Sequence, residues 1–437
     1  MTKVKLFKFD PRDLISPPFI TCPNCNKKRF GIISIRNNFY SRRCKNCLYP
    51  VGTNRTADYY LPDLNKKVIY LDQFAISEMM KILNPNTRAN RKGTLNKIWL
   101  DVFEKIHKLC KMQLIICPDS NYHHDESIVS PFFKDLKRIY ELFSHGITFS
   151  DSFSIQNRQI LNHAKCWLEK SKYEPDFDIN DIVDNDINSW QDRIIISVDF
   201  SNTKYLSDEI RKSRESIHNN FKQLFDFWKK EKDKSFQYFF ERESKNYGRV
   251  VLEGYLSYLI KWQNPQVFSE QEVEEIIFPS NNVILIHQLQ SLFEQYGVKK
   301  ANLIEKIAEY LFTPFFDEIP FIKISSLLIA GLARRAISGQ KKPPNQGMAN
   351  DIFIVATFFP YVDAIFIDNG CYSLLNENPI KEYIKEYNTQ YFCQNTIEEF
   401  LEYLGDIEKS TSETHIQILN NVYGEQWLRP YFDVFTH

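Results

Sequence analysis

Apolar residues in this chain follow two rhythms. Four short runs are almost continuously apolar: Lys67–Leu71, Leu114–Cys117, Ala364–Ile367 and Gln390–Cys393. Runs of this length without alternation predict strands buried on both faces. The first ends at Asp72 and the third at Asp368. Elsewhere apolar residues return every three or four positions, as Ile98, Val102, Ile106 and Leu109 do, which predicts helices with one buried stripe. That spacing predicts helices over 73–83 and 95–111, over 132–145, 155–171, 205–245, 247–263 and 282–312, and over 350–359 and 396–404. Thr396 is expected to cap the last of these, with Glu398 and Glu399 in its first turn. Residues 338–347 read as a loop from their Gly, Pro and polar content. Strands alternating with helices argue for an α/β fold, a parallel sheet between helical layers. A long all-helical insertion interrupts it here.

Composition narrows the classes. A chain of 437 residues exceeds one ordinary core, so several folding units are expected. With 43% hydrophobic and 25% charged residues it is globular rather than disordered. Lys+Arg and Asp+Glu both number 55, so no global field draws the chain to nucleic acid, and any such binding needs a local patch. The first eight residues contain no apolar h-region, so no signal peptide is expected. The longest apolar stretch, near Ile324–Ala333, runs into Arg334 and Arg335, well short of the ~20 residues that span a bilayer. No membrane partner and a cytoplasmic location are therefore expected.

Cys22-Pro-Asn-Cys25 is followed, after an 18-residue spacer, by Cys44-Lys-Asn-Cys47. This spacing is that of a structural zinc site, since four soft thiolates close a tetrahedral shell. The module resembles a zinc ribbon. Its basic residues (Lys27, Lys28, Arg29, Arg36, Arg42, Arg43, Lys45), interleaved with Phe30, Phe39 and Tyr40, fit either a nucleic-acid surface or a zinc-stabilised scaffold. Cys110, Cys117, Cys166, Cys371 and Cys393 read as small buried hydrophobes.

The acids carry the candidate chemistry. Asp72 and Asp368 follow apolar strands, and sites in open parallel sheets gather at the carboxyl ends of strands. Asp351 opens the helix before the third strand, and Glu126 follows the second, with Asp119 and Asp125 as alternates for its place. Any single aspartate after a strand also suits a turn or a helix cap. His123-His124 reads as a solvated pair or as one ring holding an acid. Arg334, Arg335, Lys341 and Lys342 precede Asp351; they suit a phosphate-bearing substrate or a solvated charge run. The mixed-sign run 205–245, with Asp208, Glu209, Arg211 and Lys212, reads as a solvent-facing helix pair.

In order, strand and Asp72, strand and Glu126, Asn350-Asp351 opening a helix, Ala364-Ile-Phe-Ile-Asp368, then Tyr391-Phe-Cys393 and the Thr396 helix, the chain resembles the PIN-domain nucleases. The resemblance covers 67–127 and 348–405. It departs from the family at Gln73, where a small hydroxyl residue is usual, at Phe366-Ile367, where a Thr is common, and in the length of the insertion. It implies a PIN-like sheet, Mg2+ or Mn2+ held by Asp72, Asp351 and Asp368, and Glu126 as a further ligand or water-orienting base. It also implies hydrolysis of phosphodiesters, usually in RNA, with Asn369 as a supporting group. The expected units are a zinc ribbon (1–52), a linker (53–66), a PIN-like first half (67–130), the helical insertion (131–340) and a second half with C-terminal helices (341–437). The alternative is an inactive PIN-like module that binds nucleic acid, or a protein partner through the ribbon or the insertion. No phosphate loop, dinucleotide fingerprint, nucleophile elbow or His-Glu-x-x-His helix is present.

Overall fold

The computed structural model describes residues 10–51, 55–93, 96–192, 203–263 and 279–425. Residues 1–9, where no targeting segment is expected, and the side chains of Asp208, Glu209, Arg211 and Lys212 lie outside the described residues. Among the described residues no helix is long and apolar enough to cross a membrane.

Two four-stranded sheets organise the chain. The first is antiparallel: β1 (Ser16–Thr21), β2 (Lys28–Arg36), β3 (Phe39–Cys44) and β4 (Ala57–Tyr60) lie in chain order. β4 falls inside the segment read as a linker. Its Ala-Asp-Tyr-Tyr sequence acquires a pattern only against β3, where Tyr59 stacks on Tyr40 at 5.1 Å and Asp58 accepts a 2.6 Å bond from Ser41.

The second sheet is parallel and runs β6-β5-β7-β8, with β5 at Lys67–Leu71, β6 at Ile115–Ile116, β7 at Ala364–Phe366 and β8 at Gln390–Phe392. Successive side chains point to opposite faces of a strand, and the core divides accordingly. Val68, Tyr70, Ile116, Ile365 and Ile367 join one hydrophobic cluster; Ile69, Leu71, Ile115, Ala364 and Phe366 join the other. Helices Gln73–Leu83, Ile98–Lys111, Phe133–Ser144 and Ile397–Lys409 cover the second face. Helices Ser152–Glu169, Pro320–Ile337, Met348–Phe358 and Asn369–Leu375 cover the first.

The helical insertion is thus part of the same body. Phe225, Trp228, Phe239 and Phe240 of the run read as solvent-facing are buried in one cluster with Val68 and Ile365 of the sheet. Each such side chain contributes roughly 1.5–3 kcal/mol on burial, so the described part of this run is a packed helix pair and not one that faces solvent alone. That pair is Thr203–Trp228 and Phe236–Gln263, separated by the charged stretch 229–235. The 282–312 run divides into Asn281–Gln295 and Leu303–Leu311. Between them Gly297 takes a left-handed φ of 84°, which ends a helix without a side-chain clash.

The order of the parallel strands fixes where a site can form. The chain leaves β5 through helices on one face and moves outward to β6. It leaves β7 through Asn369–Leu375 and Ile380–Ile384 on the other face and moves outward to β8. In sheets of this kind sites gather where the winding reverses, here between the carboxyl ends of β5 and β7. Asp72 and Asp368 stand at those two ends.

The antiparallel sheet is seated on this body. Ile32, Ile35 and Leu61 enter the core beside Trp190 and Val422. The guanidinium of Arg42, 2% exposed, donates to the carbonyls of Pro18 (2.8 Å), Phe30 (2.9 Å) and Asn421 (3.0 Å). Trp190 donates its backbone N–H to Asn37 and its indole N–H to Pro62.

Candidate functional site

The four cysteines sit on two copies of one turn. In each Cys-x-x-Cys the residue after the second cysteine, Asn26 or Leu48, adopts φ near 57° and returns its N–H to the first cysteine's carbonyl at 2.9 Å. The first cysteine's own N–H goes to the carbonyl of Lys27 or Tyr49, also at 2.9 Å. This places Cys22 Sγ 3.7 Å from Cys47 Sγ and Cys25 Sγ 3.7 Å from Cys44 Sγ. A tetrahedron with ~2.3 Å metal–sulfur bonds has edges of about 3.8 Å, so the sulfurs already stand at coordination spacing. Among the described residues these cysteines form the group whose ligand atoms all lie within 4.8 Å of one another, a site able to hold a metal ion. Asn24 donates to Cys47 Sγ and pulls its thiol down to about 6, while burial pushes Cys44 up to about 11. Phe30, expected as a stacking face, is 1% exposed and packs under the cysteines. Arg42 is buried as well, so neither is offered to a partner.

The acids are assembled from distant parts of the chain. Asp72 ends β5, and its N–H donates to Phe366 of β7 at 2.9 Å. Its Oδ1 caps helix Gln73–Leu83 by accepting from Phe74 at 3.0 Å. Asp368 likewise caps Asn369–Leu375, accepting from Cys371 at 2.6 Å. Each cap occupies one carboxylate oxygen, so capping and ligation are compatible. Asp351 lies in the first turn of Met348–Phe358 and is 9% exposed. Glu126 sits on helix Asn121–Ser127, where its Oε1 lies 3.4 Å from the Asn350 amide nitrogen.

The carboxyls of Asp72 and Asp351 feel their neighbours. Burial first, then the charges of Asp72, Asp368 and Glu126, push Asp351 up to about 9. Burial and the charge of Glu126 push Asp72 up to about 7, with a further push from Asp368, against the opposing Phe74 N–H and His123. The crevice therefore disfavours its own ionisation, and a cation would relieve that. Hard oxygen donors of this kind fit Mg2+ or Mn2+ rather than zinc. The grouping is looser than the cysteine site, which alone among the described residues meets the 4.8 Å criterion.

The alternates for Glu126 have other partners. Asp119 Oδ1 accepts from the Ser120 N–H at 2.8 Å and faces His123 Nδ1 at 3.1 Å. The half-exposed Asp125 lies beside His124. His123 is not solvated: it is 2% exposed, and its position was hidden in a sequence that shows only two adjacent histidines. Asn369 accepts from the backbone of Asn395 at 3.2 Å and so ties the exit of β7 to the end of β8. Arg334 and Arg335, expected at the substrate, both grip Glu377 at 2.5 Å, and Arg335 also donates to Ser373. Their charge is spent on a partner within the fold. Lys341 and Lys342 are exposed on the loop leading to Asp351. Thr396 stands at the start of Ile397–Lys409, but its hydroxyl bonds Cys393 rather than that helix. Of the five cysteines outside the motif, Cys166 is partly exposed and the others are buried.

Comparison with protein-family models, with curated proteins and with solved structures gives no match.

Proposed function

We propose that the chain is a divalent-cation-dependent phosphodiesterase, a PIN-like nuclease with a structural zinc in its N-terminal ribbon. RNA is the substrate class the resemblance implies. The observation that carries the reading is the suppression of charge at buried Asp72 and Asp351 by their burial and by the neighbouring carboxyls of Asp368 and Glu126, at the reversal point of a parallel sheet. Structural caps alone have no need of a crowd of buried carboxyls, whereas a cation site does.

In this reading Asp72, Asp351 and Asp368 hold Mg2+ or Mn2+, and Glu126 joins them or orients the attacking water. The bound ion supplies polarisation of the phosphoryl group and a more acidic water. In this reading the exposed Lys341 and Lys342 meet substrate phosphates, while Arg334 and Arg335, paired with Glu377, do not. Zinc closed by Cys22, Cys25, Cys44 and Cys47 has no open position and serves the ribbon's fold.

The test is cleavage of labelled RNA and single-stranded DNA with Mn2+ by the full chain and by an Asp72→Asn, Asp368→Asn variant. A loss of at least about a hundredfold is expected, the scale of removing a major transition-state stabiliser. Equal signals from both proteins contradict the proposal. The second reading, an inactive binding module, is favoured by the looseness of the acid group relative to the cysteines. It predicts RNA retention without cleavage.

A further inference from the structure

The nuclease reading gives His123 no part, yet this ring is buried beside the acids and held at both nitrogens. It lies between Tyr70 and Tyr140, with ring centroids at 4.8 and 4.6 Å. Its Nε2 is 2.7 Å from the carbonyl oxygen of Leu71, and its Nδ1 is 3.1 Å from Asp119 Oδ1. Each ring nitrogen thus faces one oxygen, and the ring bridges the Leu71 carbonyl and the Asp119 carboxylate.

What those two bonds connect is informative. Leu71 is the residue before Asp72. Glu126 lies three residues after His123, one turn along the same helix. Asp119 is itself fixed: its N–H donates to Ile147 at 3.1 Å, its carbonyl accepts from Phe149 at 2.8 Å, and its carboxylate accepts from Ser120. From Glu126 the chain of contacts continues to Asn350, the neighbour of Asp351. One buried ring therefore stands between the end of β5 and the helix that supplies the fourth carboxyl.

We propose that His123 is a positioning residue: by tying the last carbonyl of β5 to the helix bearing Glu126, it sets the separation of Asp72 and Glu126 and hence the affinity of the crevice for a divalent cation. The inference rests on the metal-dependent reading above and deepens it. Groups that hold metal-site carboxylates and imidazoles in place typically matter ten- to a hundredfold for metal affinity.

Mn2+ binding to the full chain, read from the electron paramagnetic resonance of free Mn2+, tests this without any activity assay. His123→Phe keeps an aromatic ring between the tyrosines and removes both ring nitrogens. It is expected to weaken Mn2+ binding about tenfold or more with an unchanged circular dichroism spectrum. His123→Ala opens a ring-sized gap, and added imidazole is expected to restore much of its Mn2+ affinity while leaving His123→Phe unimproved. Should His123→Ala fail to fold, His123→Phe carries the test. Wild-type affinity in His123→Phe, or a folded His123→Ala that imidazole does not rescue, overturns the inference. If the wild type binds no more Mn2+ than the Asp72→Asn, Asp368→Asn variant, the metal-dependent reading fails first, a pattern distinct from the other two.

Discussion

The cysteine cluster and the carboxylate crevice are both candidate metal sites, and they are built in opposite ways. The cysteines come from two neighbouring turns, each closed by its own backbone, and their sulfurs stand 3.7 Å apart in pairs. The carboxyls come from four separate segments that meet only when the parallel sheet closes, and their proximity is expressed as mutual repulsion. A site made of local turns can be rigid before any ion arrives. A site made of tertiary structure holds charges apart until something neutralises them. Soft ligands in a closed shell suit permanence, and hard oxygen ligands that leave positions to water suit turnover.

The largest expected effect separates the two sites outright. Cys44→Ser is expected to abolish zinc retention, measured by elemental analysis, and to unfold the ribbon, since structural zinc contributes on the order of 10 kcal/mol in small modules. Mn2+ binding at the crevice should survive to the extent that the body folds without the ribbon. Arg42→Ala addresses the joint between them. It strips three carbonyls of their donor at a buried position and is expected to cost about 3 kcal/mol in urea unfolding. No measurable cost would mean that the ribbon is not seated on the body through this residue.

A smaller effect depends on pH. Asp351 and Asp72 ionise near 9 and 7 in the fold, against about 3.9 in an unfolded chain. Between those limits the native state binds more protons than the unfolded state, so these groups make stability fall as pH rises. His107 and His145, lowered to about 4 and 3 by burial, act oppositely below about pH 6.5. The comparison is therefore wild type against Asp351→Asn. The variant should gain melting temperature over the metal-free wild type as pH goes from about 5 to about 9, and Mn2+ should reduce or reverse that gain. A constant difference across the range contradicts the crowded-charge account. The smallest effect is expected at Glu377→Gln, about 1 kcal/mol or less for partly exposed pairs, with Mn2+ affinity unchanged.

The two regions also differ in how far the sequence revealed them. The cysteine spacing is a local signal and could be read directly. The parallel strands were legible because burial on both faces leaves uninterrupted apolar runs ending at Asp72 and Asp368. What stayed hidden depends on distant partners. β4 looked like a linker because Ala57–Tyr60 gains its pattern only from β3. Phe30 and Arg42 looked like binding groups because nothing local says that the cysteines and the C-terminal helix cover them. Arg334 and Arg335 looked free because Glu377 lies in the connection between two helices after β7, over forty residues away. For His123 the sequence left a solvated pair or a ring holding an acid open; the ring faces Asp119, and its burial between Tyr70 and Tyr140 was not legible because they reach it from elsewhere in the chain.

The central claim, that Asp72, Asp351 and Asp368 converge on a divalent cation, is tested most directly by anomalous diffraction from crystals grown with Mn2+. The account predicts an anomalous peak at the carboxyl ends of β5 and β7, about 2.1 Å from oxygens of at least two of these aspartates, and absent in Asp351→Asn crystals. A crevice without any peak, with Mn2+ found only elsewhere on the molecule, would contradict it.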